Sequence, residues 1–468
     1  MTQSIDHPLE SAPLAPELLA ALRADVSGVV AAPGEPGYEL ATPWNVAVRQ
    51  EPLAVVEAAT PADIVATVRH AAAHGLQVAV RRTGHGAVTI SGPTVLVHTG
   101  KLDDIEIDVA GRTARVGAGA IWQQVLDAAT PHGLAPLVGS SPNVGVAGFL
   151  TGAGIGPFVR TFGLSSDHVR AFQVVTGEGK LLRVTPTEHP ELFWGLRGGK
   201  GSLGIVTEIE IDLLDLAGFY GGALYFDGAD AAAVIEAWRE LTVDLPEHAN
   251  TSLAILQLPP LPKIPAPIAG RMSIAVRFTT TQSPEVGERL LAPLRACAEP
   301  ILDGVAPMPY AAVAAVHADP VDPMPSREVS GLLREFPGQL AEVLVDLAGP
   351  GSRSPQTVVE LRLLGGKVRE APVHRSAFSH RDAAFTFLAV GVLAPEIAEA
   401  VPAHGAALEA AIEPWSTGFT LPNFTATDDP ERLSRSYDDD TRHWLGALAD
   451  QHDPHGVLRT GQVIRGTR

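Results

Sequence analysis

Three groups of residues in this chain have the types and spacing to do chemistry. The first is His85, set between two glycines in "VRRTGHGA" (80–87) directly after an apolar run. Gly84 and Gly86 lack a Cβ, so the main chain can approach a flat or phosphorylated ligand closely, at an entropic cost. A plain turn with an incidental histidine is the competing reading. The second is Glu360 in "VVELRLLGGKV" (358–368), with Arg362 on the same face if the segment is extended. A carboxylate in apolar surroundings must pair with a cation or rise in pKa. Glu360 is therefore either half of a structural Glu360–Arg362 ion pair or a base. Gln257 is a further substrate-facing candidate.

The third group is a set of glycine-rich loops. In "VGSSPNVGVAGFLTGAGIGPF" (138–158) the glycines Gly152, Gly154 and Gly156 are spaced G-x-G-x-G and Pro157 follows, which excludes a Rossmann fingerprint. In "RGGKGSLG" (197–204) Lys200 precedes Gly201 and not Ser or Thr, which excludes a Walker loop. No H-E-x-x-H pair or G-x-S-x-G elbow is present, and no metal site is expected. Asp438, Asp439 and Asp440 read as a solvated helix start. Cys297 is the single cysteine, so no intramolecular disulfide can form, and it reads as a small buried residue. What remains are loops that present backbone N–H groups to a large anionic cofactor without needing net positive charge.

The elements that must position these groups are legible. Thr60, Pro61 and Asp63 predict a helix start, and Gly75 closes that helix. A strand over 76–82 then places His85 just past its C-terminal end. Further strands are predicted over 94–100 and 204–214, a helix over 120–133, and hairpins over 105–119 and 169–185. After about residue 215 the texture changes, with five prolines in "LPPLPKIPAPIAG" (258–270) and a second proline-broken loop over 317–329. Strands over 251–258, 272–280, 357–364 and 383–393 predict a second, sheet-based domain.

A length of 468 residues accommodates two or three domains, and 46% hydrophobic with 19% charged residues reads as globular. The formal charge of −19 argues against a nucleic-acid or anionic-membrane partner. The opening residues lack a basic segment followed by an apolar one, and no apolar run reaches membrane-spanning length, so a cytoplasmic protein is expected.

Taken in order, the loops resemble those of the FAD-linked oxidases of the vanillyl-alcohol oxidase superfamily, in the berberine-bridge-enzyme-like branch and of bacterial type. "VRRTGHGA", "SSPNVGVAGFLTGAGIG", "FGLSSDHV" (162–169), "PELFWGLRGGKGSLGIVTEIEI" (190–211), "LPNFTATDD" (421–429) and "HDPHGVLRTGQVI" (452–464) carry the resemblance. It implies an α+β fold in which a two-part PCMH-type FAD-binding domain, residues 1–213 and 414–468, encloses a substrate domain, residues 214–413, with an antiparallel sheet covered by helices. The FAD contacts it implies are Arg81, Arg82, Thr83, Gly84, His85, Gly86 and Ala87 in the first loop. They continue through Gly139, Ser140, Ser141, Val144, Gly145, Gly148, Gly152, Gly154 and Gly156, then Leu164, Asp167 and His168. Gly204, Ile205, Val206, Asn423, Phe424 and Gln462 complete the set.

In the family the histidine of the first motif bonds to the flavin 8α-methyl, which implies covalent FAD on His85; a histidine that only lines the flavin site is the alternative. Some members add a cysteine link, but the matching residue here is Ser141, which implies one bond. Arg82 and Thr83 stand where glycines are usual, and Lys200 replaces a glycine. The polar residues of the plant enzymes are missing: Phe387 and Ala389 lie near their expected sites, and Phe424 stands at a tyrosine position. Glu360 is left as the candidate base above the flavin, with a structural Glu360–Arg362 ion pair as the alternative. The implied reaction is oxidation of a small organic molecule (an alcohol, sugar or secondary metabolite) with O2 as acceptor. A dehydrogenase, a natural-product tailoring enzyme and a flavin-binding protein without turnover are the alternatives.

Overall fold

In the computed structural model, which describes residues 14–90, 92–427 and 429–465, the helix Pro61–His74 starts and stops at the residues its sequence predicts. Asp63 Oδ2 accepts the Thr60 backbone N–H at 3.0 Å, and Gly75 ends the helix at φ 66°. This helix packs on a four-stranded sheet ordered Val29–Ala31, Ala54–Glu57, Thr94–His98, Gln77–Arg81. Its last three strands are parallel, and a parallel sheet is covered on both faces, hence the unbroken burial of Val55, Val56, Leu96 and Val97. The Val78 N–H donates to Val457 O at 2.8 Å, which ties the C-terminal segment to this sheet.

The two predicted hairpins flank a common strand. Ile205–Asp212 pairs with Thr113–Gly117 on one side and Val169–Val175 on the other, and Ile105–Asp108 and Leu181–Val184 form the edges. Alternation along Ile205–Asp212 buries Ile209 and Ile211 in a core with Trp122, Phe149, Phe172 and Phe193.

The largest sheet is antiparallel throughout. Its order is Leu302–Asp303, Gly218–Asp227, Met272–Thr280, Ala249–Gln257, Val358–Leu363, Phe385–Val392, Ser326–Leu333, and Ala306–Pro309 also pairs with Gly218–Asp227. One face, with Leu253, Ile255, Val276, Phe278, Val359 and Leu361, packs against the helices Ala231–Val243, Pro284–Cys297, Gly338–Ala348 and Ala400–Ile412. By the period of two, Ser252, Arg277, Glu360 and Arg362 lie on the other face. That face meets the glycine-rich half of the chain, where Arg362 Nη2 lies 3.4 Å from Ser140 Oγ.

Three expectations need correction. Gly218–Asp227 is a ten-residue strand that was not predicted, because its glycines and aromatic residues hide the alternation. The proline-broken stretch ends earlier than 329, since the strand Ser326–Leu333 begins as soon as its prolines stop. Phe387 and Ala389 pack under the helices, so the site-facing positions of their strand are Thr386 and Leu388. Among the described residues, no helix is long and apolar enough to cross a membrane.

Candidate active site

The loop after Gln77–Arg81 is held from several directions. Arg81 Nη1 donates to Ala41 O at 2.7 Å and Gln50 Oε1 at 2.6 Å, and Arg82 Nε donates to Gly119 O. Gly84 has φ 81°, and a Cβ there would fall 2.6 Å from that of Pro43, so only glycine lets residues 43–45 close on the loop. Trp44 then stacks on His85, with ring centroids 4.6 Å apart and planes 16° apart. Thr83 Oγ1 lies 2.8 Å from His85 Nδ1. The other ring nitrogen, Nε2, is buried with no hydrogen-bond partner. Burial draws the imidazole pKa down to about 4, so the ring is neutral at neutral pH. A neutral imidazole with one nitrogen anchored and one open is a competent nucleophile. Ala87 N–H closes the turn onto Gly84 O at 3.3 Å. Gly86 is exposed, and a Cβ on it would lie 3.8 Å from Gln462 Oε1, so the C-terminal segment reaches this loop.

The glycine-rich segment packs beside it. A Cβ on Gly145 would lie 3.3 Å from the Arg82 side chain, and Val144 O accepts the Trp122 N–H at 3.1 Å. Ser141 Oγ bonds Asn143 Oδ1, whose amide donates to Val321 O at 2.9 Å. Gly139 and Gly154 abut the Phe149 ring, and Gly152 abuts Asn423. Asn423 is a clamp: its Nδ2 donates to Phe149 O at 2.8 Å and its Oδ1 accepts from Lys200 Nζ at 2.6 Å. Lys200, at φ 55°, also reaches Gly148 O at 3.3 Å, and burial pushes its ammonium down to about 8. Gly204 precedes Ile205 and Val206, which open the central strand of the five-stranded sheet. Leu164 N–H donates to Asp167 Oδ2 at 3.3 Å, Asp167 pairs with Arg381 at 2.6 Å, and His168 Nε2 lies 2.9 Å from Phe162 O. These three have partners within the protein.

A Cβ on Gly156 would lie 1.9 Å from Val138 O, a backbone atom that cannot rotate away. Gly156→Ala is therefore expected to lower stability by about 1–3 kcal/mol. An unchanged urea midpoint would contradict this close approach.

On the facing sheet, Glu360 is enclosed by cations. Its Oε1 accepts from Arg277 Nη1 at 2.8 Å and Ser252 Oγ at 3.1 Å, and its Oε2 accepts from Arg362 Nε at 2.9 Å. Burial alone would raise this carboxyl, but the Arg362 and Arg277 charges, with the hydrogen bonds, hold it below the ordinary carboxylate range. His317 Nε2 lies 3.7 Å from Oε1. Burial, with repulsion from Arg362 and Arg277, keeps His317 neutral. The Arg362 guanidinium stands 5.4 Å from the Phe424 ring centroid, and Phe424 O accepts from Ser330 Oγ.

Arg277, Ser252 and His317 escaped the sequence reading. Arg277 had a signal, as a lone charge in the apolar strand "MSIAVRFTT", whereas His317 sits in a proline-broken loop with none. Gln257 is a correction. It shares the parity of Leu253 and Ile255, which pack under the helices, and its Nε2 donates to Ser354 O at 2.8 Å at the strand's end. The structure does not bring it to this cluster. A cavity of about 20 Å³ borders Arg277, His317 and Arg362. A larger one, about 620 Å³, lies between Pro430–Ser434 and the returning segment that carries Arg459 and Thr460.

Residues 52–185 match the model of an FAD binding domain. (R)-6-hydroxynicotine oxidase of Paenarthrobacter nicotinovorans is 27% identical, over 93% of this chain and 96% of its own. Berberine bridge enzyme-like 5 of Arabidopsis thaliana is 37% identical over 36% of this chain and 33% of its own. The crystal structure of 6-hydroxy-D-nicotine oxidase from Arthrobacter nicotinovorans superposes with a TM-score of 0.82 at 24% identity, covering 96% of this chain and 99% of that one. With its FAD-binding domain, its α+β architecture and these relatives, the chain is an FAD-linked oxidoreductase similar to 6-hydroxynicotine oxidase and, over about a third of its length, to a berberine bridge enzyme-like protein.

Proposed function

We propose that the protein is an oxidase of a small organic molecule, with O2 as electron acceptor and FAD bonded covalently to His85 alone. The observation that carries the reading is the orphaned, buried His85 Nε2, facing no protein partner beside loops that approach one another through glycine. Residues present fit the group: the loops 81–87 and 139–156, Gly204–Val206, Asn423 and Gln462 would hold FAD, and His85 Nε2 is the nitrogen that would carry its covalent link. We also propose that residues 1–213 and 414–468 form the FAD unit and 214–413 the substrate unit. This division follows the return of Val457 to the first sheet.

Bound FAD supplies hydride acceptance at N5. The chain's own contributions are positional. Thr83 orients the imidazole, Trp44 covers one of its faces, and the Glu360–Arg362–Arg277 group forms a charged wall opposite the glycine-rich segment. Both Glu360 oxygens already accept hydrogen bonds from guanidinium groups, so Glu360 acts by positioning Arg277 and Arg362, and Arg362 is the residue that extends toward Ser140.

Peptide mass spectrometry of digested holoenzyme is expected to find flavin on one peptide only, the one containing His85. Flavin on the Ser141 or the Cys297 peptide would overturn the single link. The oxidase reading is tested by anaerobic reduction with a panel of alcohols, amines and sugars, followed by air. Rapid reoxidation is expected. A reduced flavin that persists in air would make the protein a dehydrogenase, and no reduction across the panel would leave a flavin-binding protein.

A further inference from the structure

The buried cluster around Glu360 does not balance its charge. Arg277 and Arg362 contribute two positive charges and Glu360 one negative, at 5%, 8% and 3% exposure. Among the described residues, the carboxylate in ion-pair contact with either arginine is Glu360. His317, the next titratable group, brings no negative charge. Burying a net positive charge is unfavourable unless an anion joins it.

The open hydrogen-bonding capacity points the same way. Arg277 Nε and both ring nitrogens of His317 are buried without partners, and both residues border the small cavity. Other polar groups on that cavity are already satisfied: Thr279 Oγ1 donates to Pro157 O at 2.6 Å, and Asn250 Oδ1 accepts the Arg160 N–H at 2.7 Å. Arg277 Nε and the single N–H of a neutral His317 are therefore donors without a partner in residues that line one cavity. A volume of about 20 Å³ holds one or two water-sized atoms. That suits the oxygens of a carboxylate. Ile155 and Val316 make the adjoining wall apolar.

We propose that Arg277 and His317, with Arg362 beside them, form an anion-anchoring subsite, and that the substrate carries a carboxylate on an apolar or aromatic body. The word substrate rests on the oxidase reading; the anion site does not.

The test is calorimetric titration of the holoenzyme with benzoate, its neutral isostere benzamide and the cation benzamidine, at fixed ionic strength. Benzoate is expected to bind at least about tenfold more tightly than benzamide, the value of one added charge-assisted hydrogen bond, with benzamidine weakest. Arg277→Met should erase the preference and Arg277→Lys should keep part of it. His317→Leu leaves the Glu360 ion pairs in place, so it covers the case in which Arg277→Met fails to fold, and it should weaken benzoate binding while sparing benzamide. Equal affinity for benzoate and benzamide overturns the proposal, as does formate or chloride binding as tightly as benzoate. An Arg277→Met enzyme with an altered flavin potential and an intact benzoate preference would also overturn it, because the charge would then serve the flavin. Benzoate preference without reduction by any substrate would sink the oxidase reading and leave the anion site standing. Reduction without benzoate preference would do the reverse.

Discussion

His85→Ala protein is expected to fold and bind FAD, yet to release all of its flavin on acid precipitation, whereas the wild type keeps its flavin on the precipitate. The substitution removes the open Nε2 and the Trp44 stack but leaves intact the glycine loops proposed to hold the cofactor. Thr83 loses its contact with Nδ1 without any buried charge being stranded, because the ring is neutral in the fold. The change in folding stability should accordingly be small beside the change in flavin retention, which is all or none. If the wild-type flavin is also released by acid, the covalent link does not exist and His85 only lines the site.

Glu360→Gln has the largest expected effect on stability. It keeps the side chain's shape but leaves Arg277 and Arg362 facing each other without the intervening carboxylate. Breaking a buried ion pair on one side costs roughly 3–5 kcal/mol, to be read from urea unfolding at neutral pH. The sign of the pH dependence follows from the depressed carboxyl pKa. The unfolded carboxyl takes up a proton at higher pH than the folded one, so this contribution is present above the ordinary carboxylate range and fades as pH falls below it. The stability gap between wild type and variant should therefore narrow in acid. Flavin reduction per folded, FAD-loaded molecule should slow by less than ~10²-fold, since a general base contributes ~10²–10⁴-fold and Glu360 is committed to its arginines. A slower reduction than that, with stability unchanged, would restore Glu360 as the base.

Much of the scaffold was set by local sequence. The helix Pro61–His74 depends on Thr60, Asp63 and Gly75, and the hairpins on turns within a few residues, so each is decided by neighbours in the chain. His85 at the end of Gln77–Arg81, and Glu360 with Arg362 on one face of a strand, follow from the same local rules. The tertiary structure alone decided what those residues meet. Ser252 pairs in register with Arg277 on one side and Arg362 on the other, which sets the two arginines on either side of a central strand and within reach of Glu360. Gln257 has the same kind of strand context as Ser252, yet an odd difference in position sends it to the helix-covered face. Trp44 reaches His85 only because Pro43 can close on Gly84. Antiparallel register between strands scores of residues apart is chosen by burial of whole faces against helices, a global packing condition that no local pattern of residue types contains.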